Sequence, residues 1–178
     1  MDRDQFWEII DHTSRDDGFE QIAALREELD RLPWFEVVAF QARFVEAILE
    51  AQTYNLLAAA SLINGACSAE GFRDFRVWLV GRGHGVYQAA IANPDSLASL
   101  LTGDAVDGFG LDGVAVRAYE AKTGMSDFVQ RLAGVPHERT EAPPDQVDAA
   151  WDYEDPAALR LRFPRLCELY LTPSEDSP

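Results

Sequence analysis

The sequence predicts an all-α protein, an irregular single-domain helical bundle. Three observations predict it. Apolar residues recur every three or four positions along most of the chain, no run of β-branched residues alternates long enough to form a strand, and glycine or proline interrupts the periodic stretches at helix-like intervals.

The first element starts at Asp2 or Asp4, whose charges suit a helix N-terminus, and carries Phe6, Trp7 and Ile10 on one face to about His12. The polar stretch Ser14 to Gly18 breaks it. A second helix follows on the period Phe19, Ile22, Leu25, Leu29, Leu32, with Arg26 and Asp30 as an outward i,i+4 pair. Pro33 ends that helix and can open the next as its first residue. Trp34, Phe35, Val38, Phe44, Val45, Ile48 and Leu49 continue the helical period with Glu36, Arg43, Glu46 and Glu50 outward.

After Thr53, Y-N-L-L-A-A-A-S-L-I is apolar on all sides and fits a helix enclosed by its neighbours. Gly65 closes it, and Ser68 caps the helix that carries Phe72, Phe75, Val77, Trp78 and Leu79. Gly81, Gly83 and Gly85 interrupt. A further turn or two spans Val86 to Ile91, and N-P-D-S at 93–96 opens a short helix through Leu100. Residues 102–113 read as a loop, Val114 to Lys122 as a helix closed by Gly124, Phe128 to Leu132 as a short helix, and 135–145 as a polar linker. Two proline-separated pieces follow, at Val147 to Tyr153 and Pro156 to Leu171. The expected domain is 1–171 with its core in 34–100, and 172–178 is expected to be a disordered tail.

Charge is the most informative arithmetic. The 178 residues hold 31 Asp and Glu against 15 Lys and Arg, a net charge of -16. Phosphate backbones and anionic lipid surfaces repel such a chain, so neither nucleic acid nor membrane is expected as a direct partner. No window reaches the roughly 20 apolar residues that span a bilayer, and the start lacks a secretory signal pattern. With Cys67 and Cys167 read as buried, reduced thiols, the expected compartment is the cytoplasm. The excess acid is unevenly spread. Residues 1–50 hold 13 acids and 5 bases, whereas 51–100 hold 3 of each. A neutral, apolar middle wrapped by acidic amphipathic segments is the expected layout.

The central segment N-G-A-C-S-A-E-G-F-R-D-F-R-V-W-L-V-G-R-G at 64–83, with F-W-E-I-I at 6–10 and A-I-A-N-P-D-S-L-A at 90–98, resembles the bacterial domain-of-unknown-function family 4240 over roughly residues 5–125. Gly65, Cys67, Ser68, Phe72, Phe75, Arg76, Trp78, Leu79, Gly83, Pro94, Asp95 and Leu97 carry the likeness. Ala66 replaces a second glycine and Ala69 the first of two acids, leaving Glu70 alone. The resemblance implies a mainly helical cytosolic protein and no particular reaction.

Reactive side chains cluster in one place, the block of Cys67, Ser68, Glu70, Asp74, Arg76, Trp78 and His84. Cys67, His84 and Asp74 could form a nucleophile, base and orienting acid if the chain folds back on itself. The simpler reading makes Cys67 a buried small residue, Ser68 an N-cap, Asp74 surface and His84 part of an exposed turn. Arg76 lies in an apolar helix, where a buried guanidinium needs a carboxylate or several carbonyls. An ion pair with Glu70, Asp74 or Asp95 is expected, and an anion clamp is the functional alternative. G-R-G-H-G at 81–85 lacks the Lys-Ser/Thr of a nucleotide-binding loop and reads as a helix-to-helix turn. The cysteine spacing and the Asp104, Asp107, Asp112 spacing match no metal site, so neither metal nor cofactor is expected. His12 and His137 read as solvated. The tryptophans read as core anchors, with Trp151 suspected of marking a contact surface.

Two functions of different class are compatible with these residues. One is a regulatory or interaction module whose acidic faces bind a basic protein partner. The other is an enzyme or small-anion receptor built on the block from Cys67 to His84, with Arg76 as the anion-binding group and Glu70 or His84 as proton carrier.

Overall fold

The computed structural model describes residues 1–108, 110–135 and 151–171. Their regular structure is helical, with no strand among the described residues. The elements are α1 (Arg3–Thr13), α2 (Gly18–Arg31), α3 (Trp34–Glu50), α4 (Tyr54–Asn64), α5 (Ala69–Gly81), α6 (His84–Ala92), α7 (Val114–Thr123), α8 (Phe128–Ala133), α9 (Pro156–Arg162) and α10 (Pro164–Tyr170). Short 3₁₀ turns occupy Pro94–Ser99 and Leu111–Gly113. The fold is all-α, as the periodicity predicts. The expected tail at 172–178, the linker at 136–145 and the helical piece from Val147 to Ala150 lie outside the described residues.

Local chemistry explains most helix starts. Asp2 accepts the Gln5 N–H at 2.8 Å while the Gln5 side chain accepts the Asp2 N–H, a reciprocal cap that fixes α1. Asp17 caps α2 and Thr53 caps α4. Ser68 accepts the Gly71 N–H at 3.1 Å and starts α5 as expected. Arg26 and Asp30 form the outward pair at 2.9 Å. Pro33 is the residue before α3 rather than its first, and Phe163 with Pro164 splits the expected helix 156–171 into α9 and α10.

α3 lies at the centre, packed against α1, α5, α7 and α8, and α2 packs on α1 and α7. Its buried face carries Val37, Val38, Phe40, Phe44, Ala47 and Ile48. The enclosed helix α4 packs on α5, on Pro94–Ser99 and on α10. The core is wider than residues 34–100. Phe6, Trp7, Ile10, Leu25 and Leu29 enter from the acidic N-terminal helices, and Leu111, Val114, Ala118, Tyr119, Leu159 and Leu166 enter from beyond residue 100. Each of these amphipathic helices must bury its apolar stripe, and together they cover what the central block alone would leave open.

Several helix ends are finished by side chains from other helices. Asp11 of α1 accepts the His84 N–H that opens α6, at 2.6 Å. Gln21 of α2 donates to the Gly81 carbonyl at the end of α5, at 2.6 Å. Lys122, the chain's single lysine, donates to the Asp30 carbonyl at the end of α2. Asn64 donates to the Val106 carbonyl and accepts the Val106 N–H, holding the loop after residue 101 as a paired strand would. Helix ends carry unmade N–H and C=O groups, and buried ends must find partners. These long-range caps supply them and fix how the helices meet.

Candidate functional site

The predicted block does not come together as one site. Ser68 and Glu70 lie on the exposed first turn of α5, and Asp74 is exposed one turn further on. Arg76 points the other way and is 7% exposed. Its Nη1 donates to the Ile48 carbonyl at 2.9 Å and to Gln52 Oε1 at 3.2 Å, and its Nε donates to the Phe72 carbonyl at 3.3 Å. The guanidinium also lies 4.6 Å over the Phe72 ring. The expected ion pair with Glu70, Asp74 or Asp95 is absent among the described residues. The last turn of α3 abuts α5 there, and the Ile48 carbonyl, the Gln52 side-chain oxygen and the Phe72 carbonyl of α5 take the place of a carboxylate. Burial pushes the Arg76 guanidinium below its usual value.

His84 is not on an exposed turn. It opens α6 and is half-buried, its ring stacked on Trp7 at 4.7 Å between centroids. No hydrogen bond among the described residues joins it to Cys67 or Asp74. Cys67 is only half-buried, contrary to expectation. Burial still pushes its thiol up, with Arg76 partly offsetting, and a raised thiol pKa is the reverse of what a nucleophile needs. Trp151 stacks edge-on against Tyr54 and Phe163 with Arg162 above its ring, so it anchors the C-terminal helices.

Trp78, a member of the predicted set, lines a cavity. The cavity, of about 180 Å³, lies between the start of α2, the end of α5 and the loop before Leu111. Its walls include Asp16, Gly18, Gln21, Trp78, Arg82 and Asp107. The loop backbone lies flat on α5 at Gly108, where an added Cβ would stand 2.7 Å from the Asp74 carbonyl and 2.8 Å from Val77. Glycine permits that approach, which closes one side of the cavity.

Arg82, not Arg76, is the arginine in this wall. Its Nη2 donates to the Arg15 carbonyl and, at 2.7 Å, to Gln21 Oε1. Its Nη1 stands 3.7 Å from the carboxylate of the fully exposed Asp16, and its buried Nε–H meets no acceptor among the described residues. Burial lowers the Arg82 pKa, with Asp16 opposing the shift. Gln21 is itself buried and holds Arg82 with its oxygen while its nitrogen holds Gly81.

The α2 pattern put Phe19 in the buried face, but Phe19 is 74% exposed and Gln21 turns inward instead. The cap at Asp17 sets the helix phase, and the open carbonyl of Gly81 rewards an amide over an aromatic ring. The spacing of Trp78 and Arg82, four residues apart, was the signal that could have located this wall, since such residues share a helix face. No metal-binding group of three or more His, Cys, Asp or Glu occurs among the described residues.

No helix among the described residues is long and apolar enough to cross a membrane. The curated proteins and the solved structures offer no match to the chain. A family model does match, over residues 1–121, which takes in α1 through most of α7 and every wall of the cavity. The chain belongs to that family, described as proteins of unknown function (DUF4240).

Proposed function

We propose that the chain is an acidic interaction module that binds a basic protein partner through α1 and the start of α2. The observation that carries this reading is the outward face of α1. Asp4, Glu8 and Asp11 follow one another at helical spacing and are all exposed, while Phe6, Trp7, Ile10 and Thr13 fill the opposite face. Asp16, Asp17 and Glu20 extend the acidic surface onto α2, around the exposed ring of Phe19. Like charges at i,i+4 cost a helix roughly 0.2–0.5 kcal/mol per pair, and their concentration here raises the rate of encounter with a positively charged surface. Exposed aromatic rings are enriched at interfaces, where the acids around Phe19 would form the polar rim. The free thiols Cys67 and Cys167 suit a reducing cytoplasm as the place of that encounter.

Fluorescence anisotropy with labelled nona-arginine tests the reading. The triple variant D4N/E8Q/E20Q should weaken binding several-fold, and the loss should shrink as salt is added. A control variant, E120Q/E154Q/E168Q, removes three exposed carboxylates elsewhere. Equal losses in the two variants would reduce the effect to net charge and sink the assignment of this face.

A further inference from the structure

We propose that the cavity walled by Trp78 and Arg82 binds a small organic monocarboxylate. Asp16 and the start of α2 border both the cavity and the acidic surface, but the inference rests on the cavity's own chemistry and not on the partner reading. Three observations carry it. The Arg82 side chain is nine-tenths buried in the wall, yet its Nη1 has a carboxylate only at 3.7 Å, beyond hydrogen-bond distance. A buried guanidinium with donors to spare is rare, because desolvation makes each unmade bond costly. Gly18 opens α2 in the same wall, and the N-terminal end of a 14-residue helix adds to the preference for negative charge. Trp78 supplies an apolar face beside the guanidinium, its ring 6.0 Å from Arg82 Cζ.

Asp16 marks where the ligand's charge would sit. Its side chain is fully exposed and bound by no packing, yet its carboxylate leans toward Arg82 Nη1 at longer than hydrogen-bond distance. It stands in for a ligand carboxylate and can swing into solvent when one arrives. The walls also decide the charge and size of the ligand. Asp16 and Asp107 repel a dianion such as phosphate more than a single carboxylate. At about 180 Å³ the space falls below the roughly 300–1,000 Å³ of sites for drug-sized ligands, so the body on Trp78 is a single ring or a short aliphatic chain.

Benzoate is the probe, with benzyl alcohol, benzylammonium and inorganic phosphate as comparisons, titrated into the ¹⁵N-labelled full chain at low salt. Benzoate should shift the Trp78 indole and the Gly18 and Val106 amides. The variant D16N, which removes an exposed competitor and leaves the fold intact, should bind benzoate several-fold more tightly. R82Q should lose at least tenfold. If R82Q does not fold, the D16N gain still decides the matter. Equal binding of benzyl alcohol and benzoate would show an apolar cavity without a charge requirement and overturn the proposal. So would unchanged affinity in D16N, preference for phosphate, or preference for benzylammonium, the last assigning the cavity to a basic side chain of a partner.

Discussion

Asp95 caps a helix whose residues lie some seventy positions further along the chain. Its Oδ1 accepts the Leu166 N–H at 3.0 Å and the Arg165 N–H at 3.1 Å, in the first turn of α10. α10 begins at Phe163 and Pro164, neither of which has a side chain able to accept those N–H groups. The cap belongs to the family-matched region, and the helix it finishes lies beyond it. Buried at 5% exposure, the carboxylate satisfies orphan donors of the first turn of α10, that of Leu166 fully buried.

Replacing Asp95 by Ala should therefore cost about 1–2 kcal/mol of stability, the upper part of the range for lost caps. Hydrogen exchange should accelerate at Arg165, Leu166 and Cys167 while α2 and α7 keep their protection. D95N retains one acceptor oxygen and should lose less. Uniform acceleration across all helices would contradict a local capping role.

Gly83 and Asp11 are coupled in the same manner at the start of α6. Gly83 has φ +94°, where an L side chain is strained, and an added Cβ would stand 2.6 Å from Asp11 Oδ1. G83A should destabilise by the roughly 1–3 kcal/mol that this essentially glycine-only backbone region costs an L residue, and by more where the carboxylate cannot move aside. D11A alone should cost about 1 kcal/mol, since the His84 N–H loses its acceptor. The double variant D11A/G83A should lose less than the sum, because the collision disappears with the carboxylate. Strict additivity in urea denaturation would show that Asp11 yields freely.

The fold class, the helix order and the caps at Ser68 and Gly124 were legible because each rests on neighbours in sequence. Periodicity placed Phe6, Trp7 and Ile10 in the core, and N-P-D-S announced the turn at Pro94–Ser99. What could not be read were partners distant in the chain. Arg76 lies within α5 and Arg82 at its C-cap, and while the Trp78 to Arg82 spacing marks a shared face, it does not say that this face borders a cavity or that Arg76 meets the Ile48 carbonyl. Both depend on where α2, α3 and the loop at Val106 pack. Phe19 was misplaced for the same reason, since the inward place went to Gln21, whose side chain can meet the Gly81 carbonyl. His84 looked exposed because Trp7 lies more than seventy residues before it.

Arg76 illustrates a structural arginine with no acid beside it. R76M keeps much of the apolar stem but leaves the Ile48 carbonyl without its charged donor. Hydrogen bonds to charged groups contribute about 1.5–3 kcal/mol, so R76M should destabilise within that range, and R76K by less. Benzoate binding at the Trp78 cavity should be unchanged in folded R76M. A tenfold loss of benzoate affinity with unaltered stability would return Arg76 to the role of a ligand clamp.

Alkaline pH should reveal the buried tyrosine at the centre of the fold. Tyr87 donates its phenol hydrogen to the Ala47 carbonyl at 2.8 Å and is fully buried beneath Trp7. Burial pushes its pKa far above the usual value. Glu50, near the hydroxyl at 3.4 Å, pushes the same way, and Arg3, paired with Glu50, opposes them. In the unfolded chain a tyrosine releases its proton near pH 10, whereas Tyr87 in the fold still holds it there. Its neutral form is favoured by folding, so its contribution is complete below pH 10 and is lost as pH rises above that value. Tyr170 is shifted upward by burial and adds in the same direction. Stability should fall above pH 10 by as much as about 1.4 kcal/mol per pH unit for each such group. Y87F should cost about 1 kcal/mol at neutral pH, through the lost bond to Ala47, and should flatten the alkaline slope. Urea denaturation of both proteins between pH 8 and 11 measures this, and parallel slopes would show that Tyr87 ionises as freely in the fold as out of it.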